Sequence, residues 1–185
     1  NGYNSKAFFI SDDYGWVIDN YGYVRRTTNS GNNFTTVRIS TDTLSGLHFV
    51  SSSLGYVCGD SGRVYKTNNG GLNWTLLNTG VTDKLNAIFA LNPNKVIAVG
   101  NNGLIIETAN GGTNWNSQIL TTANLNSITF TSNGNYGLIC GDNGKLFRTY
   151  SFPGSGCIGS ESTPSGYPFY TFYMDSKTDM LYTAQ

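Results

Sequence analysis

The sequence is poor in the residues from which most catalytic and metal centres are built. It holds one histidine, His48, two glutamates, Glu107 and Glu161, and three cysteines, Cys58, Cys140 and Cys157. No two cysteines are spaced C-x-x-C, which excludes a zinc ribbon or a dithiol redox pair. We therefore expect no metal and no cofactor. Charge is scarce too, with 12% charged residues, 11 basic against 11 acidic, and a net charge of zero. Five arginines without a basic cluster do not make a nucleic-acid face, and no polybasic run suggests a membrane surface. No apolar run approaches the roughly 20 residues of a membrane-spanning helix, so no membrane insertion is expected. A helical 3.6-residue periodicity is absent throughout, and no helix longer than two turns is expected in residues 4–150. There is neither an initiator methionine nor a signal peptide, which suggests a processed mature form or a fragment.

What the chain has in quantity is glycine, asparagine, threonine and aromatics, the composition of short strands joined by tight turns. It also repeats itself. The phrases "TTNSGNNF" (27–34), "TNNGGLNW" (67–74) and "TANGGTNW" (108–115) recur at a nearly fixed interval. Before them stand "WVIDNYGYVRRT", "YVCGDSGRVYKT" and "IAVGNNGLIIET", and a fourth such stretch, "LICGDNGKLFRT", ends at Thr149. In each, a glycine sits in a polar link between two apolar runs, at Gly22, Gly62, Gly103 and Gly144, which is a hairpin signal. A further strand precedes each hairpin ("LSGLHFV", "LNAIFAL", "LNSITFT", and the looser "SKAFFIS"). Another follows each phrase ("FTTVRIS", "WTLLNTG", "WNSQILT"). Four short antiparallel strands in about 41 residues match one blade of a β-propeller. The expected fold is all-β: about four consecutive blades (about 1–40, 41–81, 82–121 and 122–150), a partial or open propeller.

The repeated phrase has a physical reading. Thr27, Asn29, Gly31 and Phe34 correspond to Thr67, Asn69, Gly71 and Trp74, and to Thr108, Asn110, Gly112 and Trp115. The Asn side chain can bind nearby backbone N–H groups, Gly takes angles other residues resist, and the aromatic ring can seal the blade edge. We read the phrase as a staple between the third and fourth strands. Cys58 and Cys140 share one repeat position, filled by Ile18 and Val99 elsewhere, so both are expected as small apolar strand residues that do not bond to each other. Cys157 is the one available partner for either. Asp60 and Asp142 also share a position, with Asn20 and Asn101 in the other copies, and read as turn formers rather than as a carboxylate pair. Tyr21, Tyr23, Tyr65 and Phe147 read as strand packing rather than as a sugar- or protein-binding surface. The sequons at Asn33 and Asn73 follow from the repeat itself and point only weakly to glycosylation.

On these residues the phrase resembles the Asp-box, also called the bacterial neuraminidase repeat, with Asn in place of Asp in all three copies. The whole unit is more similar to the propeller repeats of the photosystem II assembly and stability factor family, related repeats of which occur in many secreted bacterial proteins. The resemblance covers roughly residues 4–150. It implies a non-catalytic binding or scaffolding module of a secreted or cell-surface multi-domain protein, extracellular, with a protein or glycan ligand. Other copies or the remaining blades of the same protein are the expected partners, because four blades are not expected to close alone. Two alternatives are a fragment of a sialidase- or xyloglucanase-like enzyme and an assembly factor for a protein complex. A sialidase needs converging arginines, whereas Arg25, Arg26, Arg38, Arg63 and Arg148 are spread along the repeats. Glu107 stands where Arg26, Lys66 and Arg148 stand in other copies, as a solvated position would. After Thr149, residues 151–167 read as a Ser/Gly/Pro-rich linker, and 168–185 as the start of a second β module or a divergent last blade.

Overall fold

The computed structural model describes residues 6–150, 157–162, 171–174 and 181–184, those from Tyr150 onward by backbone only. Blade 1 comprises β1 (Lys6–Phe9), β2 (Gly15–Ile18), β3 (Tyr23–Thr27) and β4 (Thr35–Arg38). Blade 2 comprises β5 (Leu44–Phe49), β6 (Gly55–Gly59), β7 (Val64–Thr67) and β8 (Thr75–Leu77). Blade 3 comprises β9 (Leu85–Ala90), β10 (Val96–Gly100), β11 (Leu104–Thr108) and β12 (Asn116–Ile119). Blade 4 comprises β13 (Leu125–Phe130), β14 (Tyr136–Gly141), β15 (Lys145–Tyr150) and β16 (Cys157–Ser162). Each is a four-stranded antiparallel sheet with its strands in chain order. The fold is a partial propeller. Helix among the described residues is limited to three-residue 3-10 turns at Asp60–Gly62, Asn101–Gly103 and Asp142–Gly144. No described helix is long and apolar enough to cross a membrane.

Each blade stacks on the next, and an apolar core fills each junction. Trp16, Ile18, Leu44, Phe49 and Val57 lie between blades 1 and 2. Tyr56, Cys58, Leu85, Ala98 and Ile106 fill the junction of blades 2 and 3, and Val99, Leu125, Ile128 and Ile139 that of blades 3 and 4. A blade sandwiched on both sides has no solvent face. That is why β6 and β10 are buried at every position and read as unbroken apolar text rather than alternating. Cys58 is a free, buried thiol packed as a small hydrophobe, and no Cys58–Cys140 bond forms. Burial pushes both thiols up to about 12. The pairing of Cys157 lies outside the described residues.

A bulge ties the inner strands together. The strand register shifts between Leu44 and Gly46, at Asn86 opposite Val99 and Gly100, and between Leu125 and Ser127. The extra residues, Ser45, Asn86 and Asn126, are thereby re-aimed out of the ladder. Ser45 Oγ donates to the Leu85 carbonyl, and Asn86 Nδ2 donates to the Leu125 carbonyl at 2.9 Å. The bulges of blades 2 and 3 thus bond to the leading leucine of the following blade, whereas Asn126 donates to Asp142 of its own blade.

The chain beyond Thr149 differs from the sequence reading. Within the expected linker, β16 pairs with β15 and supplies the fourth strand of blade 4. No Asn-Gly staple precedes it, so nothing in the sequence marked it. In the last segment β17 (Thr171–Met174) pairs with β18 (Leu181–Ala184), and β17 lies against β13 as β13 lies against β9. Their register also matches: Met174 opposite Leu181 repeats Phe130 opposite Gly137.

Candidate functional site

The three staples share one geometry. The Thr27, Thr67 and Thr108 hydroxyls donate to the Oδ1 atoms of Asn29, Asn69 and Asn110 at 3.0, 3.0 and 2.9 Å. The same hydroxyl oxygens accept the Gly31, Gly71 and Gly112 N–H groups at 2.8, 2.8 and 3.1 Å. The Asn oxygens also accept the N–H groups of Asn33, Asn73 and Asn114 at 3.0, 2.9 and 2.9 Å. Only one side-chain oxygen is used as an acceptor here, which is why Asn serves where the related motif has Asp. Gly31, Gly71 and Gly112 all have φ near +90° (+86°, +92° and +93°).

The aromatic ring ending the staple does not seal its own blade's edge; it seals the junction with the preceding blade. Trp74 is half-buried against blade 1, edge-on to Phe49 at 6.0 Å, and Trp115 packs against the core between blades 2 and 3. Phe34 has no described blade before it and is 48% exposed. Gly22, Gly62, Gly103 and Gly144 sit one per blade at the hairpin turns with positive φ. A Cβ on Gly62 or Gly103 would overlap the carbonyl oxygens of Val81 or Thr121, where the chain leaving the fourth strand closes on the turn. Gly22 differs in that Asp19 replaces the glycine found at 59, 100 and 141. Its Oδ1 accepts the Tyr21 and Tyr23 N–H groups at 2.9 and 3.0 Å, and its Oδ2 pairs with Arg25 at 2.7 Å.

The carboxylates are held locally. Asp60 pairs with Lys84 at 3.1 Å, and Asp142 accepts from Asn124 and Asn126, both at 2.8 Å. Glu107 is half-buried rather than solvated, and burial raises its pKa. Among the described residues no three His, Cys, Asp or Glu side chains gather into a metal-binding group.

An open cleft of about 560 Å³ lies between the outer parts of blades 1 and 2. The wall from blade 1 is Val37, Arg38 and Ile39; the wall from blade 2 includes Arg63, Tyr65, Leu72, Asn73, Trp74 and Leu76. The Arg38 Nε–H donates to the Tyr21 and Ser40 carbonyls at 3.2 and 3.1 Å, which fixes the side chain. Its guanidinium lies 5.4 Å from the centre of the Tyr23 ring, and that of Arg25 lies 5.6 Å from the same ring. Arg63 bonds to Asp42 at 3.1 Å, and Tyr65 together with Asp42 holds it charged. Arg38 has no acidic partner among the described residues. Leu72 and Leu76 are 45% and 55% exposed beside the half-buried Trp74, whose indole N–H donates to the Gly71 carbonyl at 3.1 Å. The cleft therefore sets two guanidinium groups against an apolar floor. Of the sequence-derived site residues it contains Trp74. Arg38, Arg63, Leu72 and Leu76 were not singled out for it, because Arg38 and Arg63 occupy unrelated repeat positions on different blades. Of the aromatics considered for a surface, Tyr65 and Phe147 are buried and Tyr21 is half-exposed.

A four-bladed stack with asparagine staples and an arginine-lined groove can be set beside known proteins. The family model described as Photosynthesis system II assembly factor YCF48 matches residues 3–155. The chain belongs to this family. No curated protein matches the sequence. Among solved structures, it is similar to YCF48 from Cyanidioschyzon merolae, with 19% identity and a TM-score of 0.71, covering 96% of this chain and 62% of that one. It is also similar to YCF48 bound to D1 peptide, with 15% identity and a TM-score of 0.55, covering 88% of this chain and 71% of that one. An ancestral GH74 enzyme has the same fold over 96% of this chain but 28% of its own length, at 15% identity and a TM-score of 0.64. This YCF48-family chain thus spans less than two thirds of the Cyanidioschyzon protein.

Proposed function

We propose that this chain is a non-catalytic protein-binding propeller module of the assembly-factor kind, and that the cleft between blades 1 and 2 takes an extended segment of a partner polypeptide. The observation that carries the reading is the pairing of Arg38, fixed in place and without an acidic partner, with exposed Leu72 and Leu76 in one groove. Such a groove suits a segment that alternates acidic and apolar side chains: the charges select and orient it, and the leucines supply contact area. That a YCF48 structure is recorded with a D1 peptide supports a peptide as the kind of ligand. This favours the assembly-factor alternative over a secreted scaffold. The local engagement of Asp60 and Asp142 argues against a catalytic carboxylate pair.

Fluorescein-labelled peptides alternating Glu with Leu or Phe test this. Binding is expected to weaken with salt and to fall roughly tenfold or more, about 1.4 kcal/mol per decade, in the double variant Arg38→Glu, Arg63→Glu. Binding that ignores both arginines, or binding of oligosaccharides in preference to peptides, overturns the assignment.

A further inference from the structure

Leu72 and Leu76 break the repeat. Their places are filled by Asn32 and Thr36 in blade 1 and by Thr113 and Ser117 in blade 3, all four polar and exposed. Leu76 stands opposite Tyr65, as Thr36 stands opposite Arg25 and Ser117 opposite Ile106. Tyr65 belongs to the core between blades 1 and 2, so Leu76 lies on the face of blade 2 that is turned to blade 1, yet it is 55% exposed. The sheet of blade 1 therefore stops short of it. β4 is the last strand of that sheet, and Val37, opposite the core residue Val24, marks the side turned to blade 2. Beyond the edge of β4, over two exposed leucines of the facing sheet, there is a place for one more strand.

The backbone of that edge is set to pair. Ile39 N–H donates to the Gly22 carbonyl at 2.9 Å. Bonded and unbonded positions alternate in an antiparallel ladder, so Val37 also turns its N–H and C=O to β3, and Thr36 and Arg38 turn theirs outward. Among the described residues nothing bonds to these outward groups. A strand added antiparallel to β4 exchanges backbone bonds with Thr36 and Arg38 through every second residue. Those residues carry their side chains on the side of β4 that Arg38 shares with Tyr23. The residues between them carry theirs on the Val37 side, over Leu72 and Leu76. An acidic side chain beside Arg38 and an apolar one over Leu76 are thus successive residues of one extended segment. The Arg38 Nε–H is already bound by two carbonyls, which leaves the far edge of the guanidinium for a carboxylate.

We infer that the partner polypeptide enters as a fifth strand of blade 1, antiparallel to β4, with its acidic residues bonded through their backbone to Thr36 and Arg38 and its apolar residues seated on Leu72 and Leu76. This rests on the reading of the cleft as a polypeptide site. Two Glu/Leu-alternating peptides of equal length test it, one N-methylated at every Glu and the other at every Leu, each compared with the unmodified peptide. Methylation at Glu removes the N–H groups that face β4, and binding is expected to fall roughly tenfold or more. Methylation at Leu alters N–H groups turned away from β4, and binding is expected to stay within about threefold. Thr36→Pro removes one outward N–H, a position where an edge strand accepts proline, and is expected to weaken the unmodified peptide roughly threefold or more with unchanged thermal melting. Equal binding of the two methylated peptides, or a loss confined to the Leu-methylated one, overturns the added strand and leaves the cleft reading standing. So does a folded Thr36→Pro that binds as the wild type does. An unmodified peptide that fails to bind, or that binds regardless of both arginines, overturns the strand and the cleft reading together. Should Thr36→Pro fail to fold, the methylated peptides, which leave the protein unaltered, decide alone.

Discussion

Asn69, His48 and Asp19 show what single residues do in this fold. Asn69 Oδ1 accepts from both the Thr67 hydroxyl and the Asn73 N–H, and so fixes both ends of its staple. Asn69→Ala leaves these donors without their acceptor and is expected to cost about 1–2 kcal/mol of unfolding free energy in denaturant titration. Asn69→Asp keeps the oxygen and is expected to stay within about 0.5 kcal/mol of wild type at neutral pH. His48 lies between the rings of Phe8 and Phe89, at centroid distances of 4.9 and 4.2 Å, and burial pushes its imidazole down to about 4. A folded-state value below the unfolded one means that the unfolded chain binds the extra proton between about pH 6.5 and 4. Stability contributed by neutral His48 is complete above that window and lost as pH falls through it, with a slope of at most about 1.4 kcal/mol per pH unit. Thermal melting from pH 7.5 to 4 should show this slope, and His48→Phe should flatten it. Asp19 gives a second acid-side loss at lower pH. Burial raises its pKa, but the Tyr23 N–H, Arg25 and the Tyr21 N–H outweigh that and hold it below the usual carboxylate range.

At the scale of elements, a blade is stabilised less by its own ladder than by its neighbours. Phe49 belongs to blade 2 but is closed over by Trp16 of blade 1 and bordered by Trp74. Phe49→Ala is expected to destabilise by about 3–5 kcal/mol, the usual range for emptying a well-packed aromatic site. Phe9→Ala, at the same repeat position but half-exposed, should cost less than about 1.5 kcal/mol, which chemical denaturation of both variants would compare. This context dependence also explains what the sequence made legible. Four-stranded blades could be read because every copy restates its hairpin glycine and its apolar runs, and because sandwiched strands such as β10 carry no polar alternation. The fourth strand of blade 4 could not be read, since β16 follows no staple. The bulges at Ser45 and Asn86 look like ordinary polar positions until the next blade's leucine carbonyl is placed beside them.

For the whole molecule, function rests on what blade stacking juxtaposes. Arg38 aligns with Asn78 in the next copy and Arg63 with Tyr23, so no repeat-based reading would pair them; packing of blade 1 on blade 2 brings both to one groove. We expect this groove, and not the hairpin-turn ends, to receive a partner polypeptide. Amide hydrogen exchange with and without a saturating Glu/Leu-alternating peptide tests it most directly. Added protection is expected to be confined to the amides around Val37–Ile39 and Leu72–Leu76 and to be lost in the Arg38→Glu, Arg63→Glu variant. Protection centred instead on the turns at Asp60–Gly62, Asn101–Gly103 and Asp142–Gly144, with the groove unchanged, would contradict it.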